Sequence, residues 1–282
     1  MEIIHGIDQL RTLVKLEKNS SKSIGFVPTM GFLHEGHLSL MREAKKETDF
    51  VVVSIFVNPT QFGPNEDLES YPRDLTRDLA LCASVGVDLI FVPEVEEMYP
   101  EGYSTYVVCE GEITKKLCGA SRPTHFKGVT SVVAKLFNMV SPHKAFFGQK
   151  DAQQVAIIKK MVRELNIDIE IVSCPIVREP DGLAMSSRNT YLSPQERNDA
   201  LVLSQALNEV KQKMDSGMRD VKGLLEGMKR KISECQSAEI DYVSIVNANT
   251  LEDLDLIQGE VLVALAVKIG KTRLIDNLRY QV

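Results

Sequence analysis

Two histidines, His34 and His37, with only Glu35 and Gly36 between them, are the residues of this chain best placed to do chemistry. They follow the apolar segment Ile24-Gly25-Phe26-Val27 and the turn Pro28-Thr29-Met30-Gly31, and they precede an apolar-periodic run from Leu38. That order predicts strand, tight loop and helix, with both imidazoles on one face of the helix's first turn. A helix start carries unsatisfied N–H groups and partial positive charge. Two added imidazole donors make such a site suited to phosphate oxygens. Gly31 and Gly36 lack a Cβ and let a bulky anion approach the backbone. The pair therefore points to a nucleotide triphosphate. A zinc site is disfavoured, because the His-Glu-x-x-His spacing is absent and no third ligand is evident. Ordinary capping or surface roles stay open.

Four other segments carry polar chemistry next to apolar runs. In Val57-Asn58-Pro59-Thr60-Gln61-Phe62-Gly63, Asn58 and Gln61 appear where a buried strand ends. Their amides suit a substrate with hydroxyls and a carboxylate, although Asn beside Pro also commonly satisfies loop backbone. Phe147-Gly148-Gln149-Lys150-Asp151 places Lys150 within reach of phosphate and Asp151 at a helix start, where capping is the plainer alternative. Met185-Ser186-Ser187-Arg188-Asn189 offers two hydroxyls and a guanidinium as a phosphate clamp. Arg122-Pro123-Thr124-His125-Phe126-Lys127 groups basic side chains before another apolar helix.

The elements that must position these residues alternate. Residues 23–27, 50–57, 88–92, 143–147 and 168–172 read as buried strands. Amphipathic stretches at 38–46, 75–84, 129–140 and 152–165 read as helices between them. The alternation predicts an α/β fold, a Rossmann-like doubly wound parallel sheet covered on both faces. After Val177 the rhythm changes. The loop Arg178-Glu179-Pro180-Asp181-Gly182 leads to a long helix with Ser193 as N-cap, Pro194 first and Glu196 closing a capping box. A helix at 221–235 and strands at 240–246 and 261–268 follow. The expected domains are 1–177, Rossmann-like and binding the substrates, and 178–282, a smaller α+β domain that acts as a lid over the reaction.

The chain has 282 residues, 44% hydrophobic and 26% charged, with a formal net charge of -6. Nothing in that balance favours nucleic acid or an anionic membrane surface as a partner. The longest apolar runs are too short to span a bilayer. Met1-Glu2-Ile3-Ile4-His5 has no basic region followed by an apolar run, so no signal peptide is expected. Five cysteines without a Cys-x-x-Cys pair argue against a disulfide framework or zinc ribbon and suit reduced thiols in the cytoplasm.

Taken in order, Pro28-Thr29-Met30-Gly31 with His34-Glu35-Gly36-His37, Phe56-Val57-Asn58-Pro59-Thr60-Gln61-Phe62, Tyr71-Pro72-Arg73-Asp74, Phe147-Gly148-Gln149-Lys150-Asp151 and Met185-Ser186-Ser187-Arg188-Asn189 resemble the pantoate–β-alanine ligase family. That family belongs to the nucleotidyltransferase superfamily with the class I aminoacyl-tRNA synthetases. The resemblance implies pantothenate biosynthesis, toward coenzyme A. Pantoate's carboxylate attacks the α-phosphorus of ATP, and β-alanine's amine then attacks the pantoyl adenylate to give pantothenate and AMP. It implies catalytic roles for His34, His37, Lys150, Ser186, Ser187 and Arg188. Met30, His37, Gly148, Lys150, Asp151, Val177, Met185, Ser186 and Arg188 would meet ATP. Met30, Asn58, Gln61 and Gln154 would meet pantoate, with Tyr71 and Arg122 at a phosphate or amine site. It further implies Mg²⁺ and a homodimer.

Two departures stand out. Some relatives have consecutive acidic residues where Arg77-Asp78 stands, which leaves Asp78 as the candidate Mg²⁺ ligand. Thr124 replaces the family's usual Gly in the Arg-Pro-Gly-His-Phe segment. Two other functions remain as alternatives: a nucleotidyltransferase acting on a phosphorylated alcohol, and a nucleotide-sensing module without turnover.

Overall fold

Six short strands lie side by side and all parallel, in the order β1-β4-β3-β2-β5-β6. They are β1 (Glu2–Ile4), β2 (Ile24–Thr29), β3 (Phe50–Ile55), β4 (Leu89–Phe91), β5 (Lys144–Gly148) and β6 (Glu170–Cys174) in a computed structural model that describes residues 1–64 and 66–282. The apolar runs are continuous because both faces of the sheet are covered. On one face Val27, Val51 and Val53 pack with Leu38, Met41 and Ala44 of the helix Glu35–Glu47. On the other, Phe26 and Phe147 meet Phe137 of the helix His125–Val140 edge-on, at 6.4 Å each. Phe26 and Phe146 are fully buried. Each such side chain contributes about 1.5–3 kcal/mol of transfer free energy. The expected strands are all present, shifted by one or two residues at their ends.

The strand order has a functional consequence. From β2 the chain steps outward to β3 and β4, then returns to place β5 on the other side of β2. Adjacent connections therefore diverge at the carboxyl ends of β2 and β5, where open α/β sheets hold their ligands.

The chain forms two compact units. The first holds residues 1–110, 122–149 and 157–175; the second holds 111–121, 150–156 and 176–282. The second unit contains an antiparallel sheet of β7 (Ala238–Asn247), β8 (Glu260–Ile269) and β9 (Thr272–Gln281), with β8 central. Helices Leu201–Asp215 and Val221–Ser233 cover one face through Leu203, Leu207, Val210, Leu224, Met228 and Ile232.

Several elements go unread in the sequence, among them the short helices Val95–Met98 and Cys118–Ser121. β1 has three residues, two of them exposed, and is held mainly by register with β4. The helix Ile7–Asn19 follows a Gly6 cap with no side-chain cap bond. β9 runs polar and apolar residues in pairs, Thr272-Arg273, Leu274-Ile275 and Asp276-Asn277, and so lacks the strict alternation that marks a half-buried strand. The long helix expected after Ser193 is two helices, Pro194–Asp199 and Leu201–Asp215, separated at Ala200. The capping box of Ser193 and Glu196 is present as expected. None of the five cysteines is in a disulfide, and among the described residues no helix is long and apolar enough to cross a membrane.

Candidate active site

The chain leaves β2 at Thr29 and reaches the helix Glu35–Glu47 through a loop whose backbone is tightly held. Gly31 adopts φ 78°, and a Cβ there would sit 2.9 Å from Asp78 Oδ2 and 3.0 Å from Ile55. Phe32 also has positive φ, 47°, an uncommon state for a bulky residue. What holds it is Asp78 on the helix Leu75–Ser84: the N–H groups of Phe32 and Leu33 donate to Asp78 Oδ2 and Oδ1, both at 2.7 Å. The Arg77 guanidinium lies 5.1 Å from the centre of the Phe32 ring. Burial pushes the Asp78 carboxyl above the usual carboxylate range, and the two N–H donors oppose that shift.

This arrangement gives Asp78 a structural task that its place in the sequence did not reveal. Its side chain is 1% exposed, and each oxygen already receives a backbone proton. Among the described residues there is also no cluster of three or more His, Cys, Asp or Glu able to hold a metal ion. Asp78 serves as a clasp on the loop.

His34 is the N-cap of its helix. Its Nδ1 accepts from the Gly36 N–H at 3.1 Å, and its own N–H donates to His37 Nδ1 at 3.3 Å, closing a reciprocal capping box. The ring centres are 4.1 Å apart. Because both Nδ1 atoms accept, the neutral rings carry their protons on Nε2. The capping and phosphate readings of these histidines are therefore compatible: the cap fixes the tautomer that leaves Nε2–H as the donor.

Beyond β3, a 3₁₀ turn Pro59–Gln61 carries the two amides. Gln61 is 9% exposed and its Nε2 donates to Met30 Sδ at 2.9 Å, so two residues expected at one substrate do meet. Asn58 departs from expectation. It is 1% exposed; Oδ1 accepts from the Thr60 N–H (3.3 Å), the Thr60 hydroxyl (2.9 Å) and the Tyr99 hydroxyl (2.7 Å). Its Nδ2 donates to Gln61 Oε1 (3.1 Å) and the Gly128 carbonyl (3.2 Å). No hydrogen-bonding capacity is left for a substrate. Gly128 permits this contact: a Cβ there would fall 2.4 Å from the Thr60 carbonyl and 2.5 Å from Gln61 Cα.

Arg122 departs as well. Its Nε and a terminal nitrogen grip Glu66 at 2.8 and 2.5 Å, and that nitrogen also lies 3.4 Å from the Gln61 carbonyl. A guanidinium held in a two-point carboxylate pair braces the loop. Burial raises the Glu66 carboxyl, but Arg122 outweighs it and the net shift is downward. Tyr71 is buried against Phe62, ring centres 6.0 Å apart, which makes it a packing residue in this conformation.

At the carboxyl end of β5, Gly148 leads into the turn Gln149–Asp151 and the helix Ala152–Glu164. Gln149 accepts from the Ser173 hydroxyl at 2.9 Å. Within the second unit, the carbonyl of Lys150 accepts from Asn277 Nδ2 at 2.9 Å. Asp151 is exposed and Gln154 is half-buried. Gln153 between them is structural: it donates to the Ile113 and Lys116 carbonyls and accepts from the Cys118 N–H.

The segment Val177–Arg188 forms its own small frame in that unit. The Met185 N–H donates to the Val177 carbonyl at 3.0 Å, joining two residues expected at ATP. Arg178 bridges to Ala184 and grips Asp276 of β9 at 2.7 and 2.9 Å. Ser186 caps the turn Ser187–Tyr191 by accepting from the Arg188 N–H at 3.3 Å, and Ser187 is buried. Asp78 as clasp, Tyr99, Gly128, Asp276 and Asn277 are the positioning residues that motif reading misses. The one signal for most of them is a polar residue at a strand or helix position facing the core.

Residues 2–279 match the family model described as pantoate-beta-alanine ligase. The pantothenate synthetase of Acetivibrio thermocellus is 58% identical over 282 residues, 100% of each chain. That of Thermotoga petrophila is 56% identical over 277 residues, 98% of this chain and 99% of its own. Among solved structures, the pantothenate synthetase of Thermus thermophilus superposes with a TM-score of 0.94 at 46% identity, covering 99% of both chains. The Francisella tularensis ligase, complexed with beta-gamma ATP and beta-alanine, gives a TM-score of 0.79 at 37% identity, covering 99% of this chain and 97% of its own. With the imidazole pair at the switch point of the sheet and the match running almost from end to end, the chain belongs to the pantoate–β-alanine ligase family.

Proposed function

We propose that the chain uses ATP to condense pantoate with β-alanine, through a pantoyl adenylate, releasing AMP and pyrophosphate. The observation that carries this reading is the tautomer-fixed pair His34 and His37 where connections diverge, in a chain of this family. A carboxylate is ionised at neutral pH, so the first step needs no base. It needs alignment and stabilisation of the charge building on the departing pyrophosphate. His34 and His37 are assigned to that task, and Lys150, Ser186, Ser187 and Arg188 are assigned to ATP phosphates. Met30, Gly148, Asp151, Val177 and Met185 border the nucleotide. Gln61, which meets Met30, and Gln154 are assigned to pantoate.

Mg²⁺ would accompany ATP and would neutralise charge on its phosphates, with Asp78 the side chain of this chain that could reach toward it. The working form is a cytoplasmic homodimer, which sedimentation at several concentrations tests. The reaction itself is tested by pyrophosphate exchange: protein, ATP, Mg²⁺ and pantoate should exchange label without β-alanine. Folded protein that makes no exchange would remove the adenylate.

A further inference from the structure

The contacts of Asn58 show how the chemical polarity of the substrate pocket is set. An amide's oxygen and nitrogen ends look alike in shape, and only their partners tell them apart. Two partners of Asn58 are backbone groups with a single possible role. The Thr60 N–H can only donate, and it faces Oδ1; the Gly128 carbonyl can only accept, and it faces Nδ2. The Asn58 amide therefore has one permitted orientation. Its Nδ2 also donates to Gln61, so the Gln61 atom that receives it is Oε1. Gln61 is left to present Nε2, which rests on the weak acceptor Met30 Sδ.

Tyr99 anchors the arrangement. Its hydroxyl makes the shortest contact to Asn58, 2.7 Å to Oδ1, and lies 3.3 Å from the Thr60 hydroxyl. Its ring is fixed between Phe56 and Tyr103, at 6.1 and 4.9 Å between centres. Burial pushes the phenol up to about 12, so it keeps its proton throughout the working range of pH.

We propose that Tyr99 and Asn58 are positioning residues that hold Gln61 as a hydrogen-bond donor, so that the pocket accepts a substrate oxygen acceptor there. The proposal rests on the pantoate reading above. It gives Asn58 an indirect role, in place of the substrate contact expected from the sequence. It also brings in Tyr99, which lies outside every motif.

The test is a cycle of Tyr99→Phe, Gln61→Ala and the double variant, with KM for pantoate and for ATP measured separately. Tyr99→Phe keeps the ring packing and deletes one hydrogen bond. It should raise the pantoate KM about two- to tenfold and leave the ATP KM unchanged. In the Gln61→Ala background the same change should have less than about a twofold effect, because the residue it acts through is gone. An unchanged pantoate KM in Tyr99→Phe would overturn the relay. So would an equal fold-change in both backgrounds, which is the behaviour of a residue that only packs. Wild-type turnover of pantoate and β-alanine is measured first: its failure overturns reaction and relay together, while turnover with additive variants overturns the relay alone.

Discussion

The two sheets of this protein serve their functional loops in opposite ways. The parallel sheet delivers residues from its strand ends: Met30 follows β2, Asn58 and Gln61 follow β3, and Gly148 closes β5. The antiparallel sheet delivers nothing from its ends. It reaches its loops with side chains from the middle of β9, where buried Asp276 grips Arg178 and buried Asn277 holds the Lys150 carbonyl. In the first unit, position is written into chain direction, and separate residues such as Asp78 tighten it. In the second, position depends on two adjacent polar side chains that break an otherwise apolar core. Loss of a brace should therefore reach further in the second unit.

The largest effect is expected at Lys150 itself. Lys150→Ala should lower turnover about a hundred- to a thousandfold while the melting temperature hardly moves, and parallel losses of both would contradict a direct role. Asp276→Ala leaves the Arg178 guanidinium without its two-point partner. It should cost about 2–4 kcal/mol in chemical denaturation, between the loss of a charged hydrogen bond and of a fully buried pair. Asp78→Asn should cost less, about 1–3 kcal/mol, because one of the N–H groups of Phe32 and Leu33 would face an amide nitrogen. Its turnover should also fall; restoration by added Mg²⁺ would mark Asp78 as a metal ligand, and no restoration would mark it as the clasp alone. If Asp78→Asn proved costlier than Asp276→Ala, the contrast between the two units would reverse.

The smallest effect is expected at Glu66. Its carboxyl is held below the usual range by Arg122, net of the opposing burial. The resulting stability is present above the unfolded carboxyl pKa, about 4.3, and is lost as pH falls through the lower folded value. Glu66→Gln should therefore flatten the acid limb of melting temperature against pH and leave the neutral value little changed. An unaltered acid limb would show that the pair contributes nothing that titrates.

The residues proposed to carry chemistry are legible because their kinds are unusual in their settings: paired imidazoles at a helix start, a lysine after a strand and a glycine, a serine pair with an arginine. Apolar runs bounded by turns expose the strands of the parallel sheet, since a doubly covered strand cannot alternate. β9 stays hidden because Asp276 and Asn277 put a polar residue on each of its faces, and those interruptions are its contribution. Asn58 and Arg122 read as ligand contacts because type and place allow it. What the sequence hides is their partners, supplied by Tyr99, Gly128 and Glu66 from distant parts of the chain. Asp78 hides its clasp for the same reason, since an acidic residue in sequence does not reveal which amides will face it.

The route of the backbone has a practical consequence. It enters the second unit at Gly111, again at Lys150 and a third time at Ile176. A gene cut after residue 177 would deprive one product of its neighbours without giving the other a complete set. Fragments made at that point should be poor expression targets, and single cleavage there should release no self-sufficient piece. Dissecting the protein calls for point changes, or for rejoining the two halves in one tube.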